Sequence, residues 1–182
     1  MRVLGISGSL RRDSHNTRLL LLAGRLLPPG AQLELYEDLK SVPPYDADDD
    51  LEPAPAAVAR LRAAIADADA VLIVTPEYNG SIPGVLKNAL DWASRPLATS
   101  VLRNKPVAVL GASTGMFGAV WSQAETRKVL ATIGARVVDR EVPVPRVQHA
   151  FGPEGRLDFE LEAEIGGVLA ELVAETAPVH SY

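Results

Sequence analysis

The sequence predicts an α/β fold: a doubly wound parallel sheet of five strands with helices on both faces. Three observations predict it. Apart from Arg2 and the terminal Thr75, Met1–Ile6, Ala70–Thr75 and Pro106–Ala112 are continuous apolar runs rather than alternating ones. Such runs belong to strands buried on both faces, the usual condition of a parallel sheet. Helical stretches separate the strands, giving the order βαβαβαβαβα. The chain has 182 residues, enough for one α/β domain and short for two, so residues 1–182 are read as a single domain.

Each element has its own warrant. Met1–Ile6 is a short buried strand, followed by a Gly/Ser loop from Ser7 to Ser14 with two arginines. Asn16–Leu27 reads as a helix, with Leu19, Leu20, Leu22, Ala23, Leu26 and Leu27 on a broad apolar side, and Pro28-Pro29-Gly30 stops it. Ala31–Tyr36 alternates Leu33 and Leu35 with Gln32 and Glu34, the pattern of a less buried strand. Lys40–Pro55 is irregular and acidic, and Ala56–Asp67 is an alanine-rich helix. After the third strand comes a helix over Ile82–Ala93, with Pro83 in its first turn. A helix over Ala119–Ile133 ends at Gly134, Ala135–Val138 starts a fifth strand, and Phe159–Thr176 is the last helix. Five strands suit the flavodoxin-like order 2-1-3-4-5, which puts the more polar second strand at an edge.

Composition narrows the function. Hydrophobic residues make up 47% and charged residues 23%, ordinary globular values. A net charge of −5 argues against nucleic-acid binding, which favours a basic face. There is no cysteine, so disulfides, zinc–thiolate sites and thiol nucleophiles are excluded and any redox chemistry falls to a bound cofactor. No segment is long enough to span a membrane, and the N-terminal run lacks the h-region of a signal peptide, so a cytoplasmic protein is expected. The run Asp46-Ala47-Asp48-Asp49-Asp50 reads as a solvated loop; no second acidic cluster supports a metal site.

In this topology the loops after strands one, three and four lie side by side at the carboxyl edge of the sheet, where α/β ligands bind. All three are unusual. The first, Gly8-Ser9-Leu10-Arg11-Arg12-Asp13-Ser14-His15-Asn16-Thr17, leads into a helix N-terminus, an anion site by dipole and free N–H groups. Ser9, Ser14, Asn16 and Thr17 can add hydrogen bonds and Arg11 a full charge. A plain helix cap at Ser14 or Asn16 accounts for one such residue, not for an arginine with several hydroxyls. Neither G-x-G-x-x-G nor a P-loop is matched. The second loop, Thr75-Pro76-Glu77-Tyr78-Asn79-Gly80-Ser81, carries the tight-turn pair Asn79-Gly80 and an aromatic surface at Tyr78. Its competing reading is a solvent-facing turn with Glu77 as a helix cap. The third loop, Gly111-Ala112-Ser113-Thr114-Gly115-Met116-Phe117-Gly118-Ala119, has three glycines and two hydroxyls, which let a planar ligand approach the backbone. A phosphate at the first loop and a flat polar ring between the other two fits a mononucleotide, and flavin mononucleotide suits a cysteine-free chain better than a substrate nucleotide.

Three pieces, GSLRRDSHNT at 8–17, PEYNGSIPGVLKNALDW at 76–92 and GASTGMFGA at 111–119, resemble the NADPH-dependent FMN reductase family, which includes chromate, quinone and azo-dye reductases. Their order and spacing match over nearly the whole chain, and the middle motif is the most specific. Lys40–Pro55 and the tail after Val142 are the variable parts. The resemblance implies that Ser9, Arg11, Ser14, Asn16 and Thr17 hold the FMN phosphate. It implies that Pro76, Glu77, Tyr78, Asn79 and Gly80 line the isoalloxazine ring. It implies that Ser113, Gly115, Met116 and Gly118 contact the pyrimidine end and the ribityl chain. It further implies a homodimer or homotetramer with the flavin near a subunit interface, Trp92 being either an interface or a core residue.

The activity so implied passes hydride from NADPH or NADH to bound flavin and then electrons to a small acceptor such as free flavin, a quinone, an azo dye or chromate. The cofactor carries the chemistry, so no catalytic acid or base is named and no metal is required. His15 reads as a solvated or capping residue, and His149 and His180 join no constellation. The alternative is a flavodoxin-type electron carrier without NAD(P)H oxidase activity; Arg11 and the modest charge favour the reductase. A phosphoacceptor receiver domain shares the topology but needs an acidic pair and a phosphoacceptor aspartate at strand ends, whereas strand one ends in Gly-Ile-Ser-Gly and strand three in Thr-Pro-Glu.

Overall fold

The computed structural model describes residues 1–152 and 154–177. Its sheet runs β2-β1-β3-β4-β5, built from β1 (Arg2–Ser7), β2 (Gln32–Tyr36), β3 (Ala70–Thr75), β4 (Pro106–Ala112) and β5 (Arg136–Val137). All pairings are parallel, with Val3 opposite Leu33 and Ala70, and Ile73 opposite Val109. The strand order is the one expected. The fifth position differs: it is shared by two short pieces. β5 pairs with the start of β4 at Pro106 and Val107, and β6 (Pro143–Val144) pairs with its end at Gly111 and Ala112. The chain leaves the sheet between them, so no continuous apolar pattern marks β6.

Both faces are covered. On one face α1 (His15–Arg25) and α6 (Phe159–Ala174) pack Leu19, Leu20, Ile165 and Leu169 against Val3, Leu72 and Leu110. On the other, α2 (Ala56–Asp67), α3 (Gly84–Ala93) and α4 (Val120–Ile133) bring Leu61, Leu86, Leu90 and Leu130 to Leu4, Val71, Ile73 and Val109. Successive strand residues thus feed opposite cores, which is why β3 up to Val74 and β4 throughout are apolar. Burial of each such Leu or Ile contributes roughly 1.5–3 kcal/mol. β2 keeps two exposed positions at the edge.

Local chemistry sets the helix ends. Ser14 caps α1, its Oγ accepting from the N–H groups of Asn16 and Thr17. Gly134, at φ 97°, closes α4 in the left-handed conformation, its N–H reaching Leu130 and Ala131 carbonyls. α3 begins at Gly84, with Pro83 just outside it rather than in its first turn, because Pro83 holds an extended ψ of 136°. A short helix, α5 (Val147–Ala150), follows β6 in a segment to which the sequence pattern assigns no element. Trp92 belongs to the core, not to an interface: it is 0% exposed, and its indole N–H donates to the Pro43 carbonyl at 2.8 Å. Asn88 holds the same segment through Pro43 O and Tyr45 N–H. The tail of the middle motif therefore anchors the irregular 43–45 stretch.

Candidate functional site

The carboxyl edge of β1, β3 and β4 carries three loops that converge on one cleft of about 220 Å³. The first loop starts where β1 ends. The Gly8 N–H continues the ladder to Val74 O at 2.8 Å, which brings this loop against the start of the second. Ser14 is buried and uses its Oγ lone pairs to cap α1, leaving its hydroxyl hydrogen free to donate. The N–H groups of Ser9 and Arg11 reach only neighbouring hydroxyls, each at 3.4 Å. The Arg11 side chain is exposed, and among the described residues no carboxylate pairs with it.

Asn16 has a different part. It is buried, and its amide makes two 3.1 Å bonds to one residue of β4: Nδ2 donates to Ala112 O and Oδ1 accepts from Ala112 N. The side chain thus works as a strand surrogate, tying α1 to the third loop. Thr17 donates its hydroxyl to Ser7 Oγ at 2.8 Å and lies outside the cleft lining.

The second loop leaves β3 through buried Thr75 and Pro76. Tyr78 and Ser81 exchange backbone bonds of 3.1 Å, and Asn79 and Gly80 have φ of 56° and 71°. Two positive φ values make a type I′ hairpin, the turn Asn-Gly favours. Glu77 turns to α4, where its Oε2 accepts from Trp121 N at 3.0 Å and Ser122 N at 3.1 Å. α4 has left-handed Ala119 at its N-cap and no side-chain cap of its own, so a residue 44 positions earlier supplies one. The helix-capping reading of Glu77 is the one the geometry shows for its carboxylate, while the residue also borders the cleft.

The third loop is clamped from below. Gly118 sits at φ 60°, where a Cβ would lie 2.6 Å from Val144 N, so β6 leaves no room for a side chain. Ser113 N–H donates to Val144 O, Val147 N–H to Ser113 O and Arg146 N–H to Gly115 O. Met116 projects outward, 67% exposed.

Of the residues singled out in the sequence, the cleft brings together Ser9, Arg11, Ser14, Asn16, Pro76, Glu77, Tyr78 and Ser113. Thr17, Asn79, Gly80, Gly115, Met116 and Gly118 lie outside its lining. Thr17 turns to Ser7, Asn79-Gly80 forms the hairpin tip, and Gly118 packs on β6. The lining adds His15, Ala112, Thr114 and Val147. Thr114 lies inside a motif already identified; Val147 follows a strand too short to leave a pattern. His149 borders a separate groove with Glu154 and Arg156, and His180 lies outside the described residues.

The NADPH-dependent FMN reductase family model matches residues 1–149, spanning all three loops and the β6–α5 segment. This chain belongs to that family. It is therefore an oxidoreductase that uses FMN with a reduced nicotinamide donor. The NAD(P)H-dependent FMN reductase of Pseudomonas aeruginosa is 46% identical over 158 residues, 86% of this chain and 84% of that protein. The quinone reductase of Escherichia coli K12 is 38% identical over 141 residues, 77% of this chain and 74% of its own. Among solved structures, the flavoenzyme NAD(P)H:(acceptor) oxidoreductase of Paracoccus denitrificans superposes with a TM-score of 0.83 at 34% identity, covering 96% of each chain.

The residues present fit the FMN of this family. A phosphate needs a cation and donors, and the cleft offers Arg11, unpaired among the described residues, the Ser14 hydroxyl and the weakly bonded loop amides of Ser9 and Arg11 ahead of the α1 N-terminus. A flat ring needs close backbone approach, and Gly115 is open: a Cβ there would meet only Ser113 Oγ, at 3.7 Å.

Proposed function

We propose that the cleft between the three loops is the FMN site of an NAD(P)H-dependent reductase whose acceptor is a small molecule such as a quinone, free flavin, azo dye or chromate. The observation that carries this reading is the convergence of Arg11 and the capped α1 N-terminus with the Pro76–Tyr78 wall at one sheet edge. When bound, FMN supplies the two-electron exchange between donor and acceptor. The chain's own residues bind and orient. Arg11, with the Ser9 and Ser14 hydroxyls, would neutralise and hold the phosphate. Pro76, Glu77 and Tyr78 would form one wall beside the ring, and Ser113 and Thr114 the other, with the open backbone at Gly115 just beyond them. Glu77 would contribute backbone there, since its carboxylate is committed to α4. Thr17 would act through Ser7 and Asn16 through Ala112 rather than at the phosphate. Asn79, Gly80, Met116 and Gly118 would shape the rim. No side chain is assigned proton transfer.

The quinone, hydroxybenzoquinone and FMN reductases among the relatives support a small organic acceptor. The carrier alternative draws no support from them, because each is named a reductase. The same proposal takes residues 1–182 as one domain, since both apolar cores flank a single sheet. It takes the protein as a cytoplasmic homodimer or homotetramer. Cytoplasmic placement follows from the reduced nicotinamide it needs; among the described residues no helix is long and apolar enough to cross a membrane. An assembly is supported by half-exposed Tyr78, Met116, Phe117 and Trp121 beside the cleft, an apolar group that a second copy would cover.

Titration of apoprotein with FMN, followed by flavin fluorescence and by NADPH oxidation with a quinone, tests the reading. Wild type should bind FMN and turn over. Arg11→Ala should raise the FMN Kd on the order of tenfold or more, a charge-assisted contact being lost, with unchanged melting of the apoprotein. Wild-type protein without FMN affinity sinks the reading; an unchanged Kd in the variant removes Arg11 from the site.

A further inference from the structure

Two carboxylates tie the second loop to α4 in opposite directions. Glu77 reaches from the loop to the amides of Trp121 and Ser122. Glu125 stands one helical turn beyond Trp121, on the same side of α4. It reaches back: its Oε2 accepts from the Ser81 hydroxyl at 2.5 Å and lies 3.4 Å from Ile82 N. Between them, Thr75 Oγ1 and Ser122 Oγ make a buried 2.9 Å pair. The ties enter the loop before and after its hairpin.

Within its own chain the hairpin has little else to hold it. Nothing stands within 4 Å of where a Gly80 Cβ would sit, and Tyr78 is 54% exposed. A two-residue hairpin without apolar cover is marginally stable in water. Its far strand, at Ser81 and Ile82, is gripped by Glu125. The Ser81 hydroxyl and then the Ile82 amide hold the Glu125 carboxyl below the usual carboxylate range, so it is ionised at neutral pH. Glu125 is absent from the cleft lining, so any effect on a ligand passes through the hairpin.

We propose that Glu125 is a positioning residue of the cofactor site: through Ser81 it latches the Tyr78–Ser81 hairpin onto α4 and thereby fixes the Pro76–Tyr78 wall of the cleft. The proposal rests on the FMN reading of that cleft. The latch is local. It should govern hairpin opening and ligand affinity while leaving the two apolar cores untouched.

The test uses the full chain with Glu125→Ala, Glu125→Gln and Ser81→Ala, and the double variant S81A/E125A. Hydrogen–deuterium exchange of apoprotein reads the hairpin directly, and flavin fluorescence reads the FMN Kd. Glu125→Ala and Ser81→Ala should each speed exchange over residues 78–82 and raise the FMN Kd, both by about tenfold, as loss of a hydrogen bond to a charged group does. Melting of the apoprotein should stay within about 2 °C of wild type, the usual range for a surface substitution. The double variant should be no worse than either single one, because both remove the same latch. Glu125→Gln, which keeps a neutral acceptor, should fall between. Unchanged exchange at 78–82 overturns the latch. Faster exchange with an unchanged Kd overturns its role at the cofactor site, and multiplied effects in the double variant overturn the shared contact. If Glu125→Ala melts early, Ser81→Ala and Glu125→Gln decide the matter. Wild type that binds no FMN defeats the cofactor reading and this role with it, while the exchange measurement still decides the latch.

Discussion

Asn16 offers the sharpest separation between holding a ligand and holding the protein. Its side chain is buried and makes both a donor and an acceptor bond, each 3.1 Å, to the backbone of Ala112, itself 1% exposed. Asn16→Ala removes both partners and leaves a buried N–H and a buried C=O unpaired. Each unpaired group costs about 1–3 kcal/mol, so a total of roughly 3–4 kcal/mol is expected once partial relaxation is allowed. In a domain of this size each kcal/mol lowers Tm by about 2–4 °C, giving a drop of roughly 6–16 °C. Asn16→Asp should be at least as damaging, because it keeps an acceptor for Ala112 N but turns a second acceptor toward Ala112 O. The assay is thermal melting by circular dichroism, with and without saturating FMN. The apoprotein should already show the loss, and FMN should still raise Tm. An apoprotein that melts within about 2 °C of wild type, with the FMN-induced shift abolished, would refute the structural role and return Asn16 to the phosphate.

Two further substitutions probe the frame around the cleft. Gly118→Ala forces a Cβ to within 2.6 Å of Val144 N at a left-handed φ of 60°; overpacking costs typically about 1–3 kcal/mol, so apoprotein Tm should fall while Gly115→Ala, in open space, should leave it unchanged. Equal Tm for the two variants would disprove the clamp. The Glu162 carboxyl is held below the usual carboxylate range, first by its bonds to the Arg156 guanidinium and also by the Leu157 amide. A carboxyl depressed on folding stabilises above its unfolded pKa of about 4.3 and loses that contribution as pH falls through the folded value. Tm measured from pH 7 down to pH 3 should therefore fall less steeply below pH 4.5 in Glu162→Gln than in wild type, from a lower start; parallel profiles would remove Glu162 from the acid response.

The central sheet was legible because its signal is local and repeated. Each residue of 70–74 and 107–110 faces one core or the other, and the unbroken apolar run records that directly. Loop positions were legible for the same reason, since they follow from strand ends and topology. The roles of polar side chains were not. Asn16 and Ala112 are 96 residues apart, and Glu77 and Trp121 are 44 apart. A loop residue that caps a distant helix has the same one-letter identity as one that meets a ligand. β6 escaped because a two-residue strand carries no periodicity, yet it clamps Gly118 and brings Val147 to the cleft.

These contacts change what the motifs mean physically. Much of the polar chemistry in GSLRRDSHNT and PEYNGS joins one loop to another: Ser14 to the α1 amides, Asn16 to β4, Thr17 to Ser7, Glu77 to α4. Each bond fixes a loop at folding, so that ordering cost is not incurred again when a ligand arrives. Left for the ligand are the groups without full partners: the Arg11 guanidinium, the amides of Ser9 and Arg11, the Ser14 hydroxyl hydrogen and the open backbone at Gly115. That remainder is cationic and donor-rich at one end and flat and unobstructed at the other. A ligand with a phosphate tail and a planar head matches both ends at once. Free phosphate would match only the first, and should bind far more weakly than FMN to the same rigid frame.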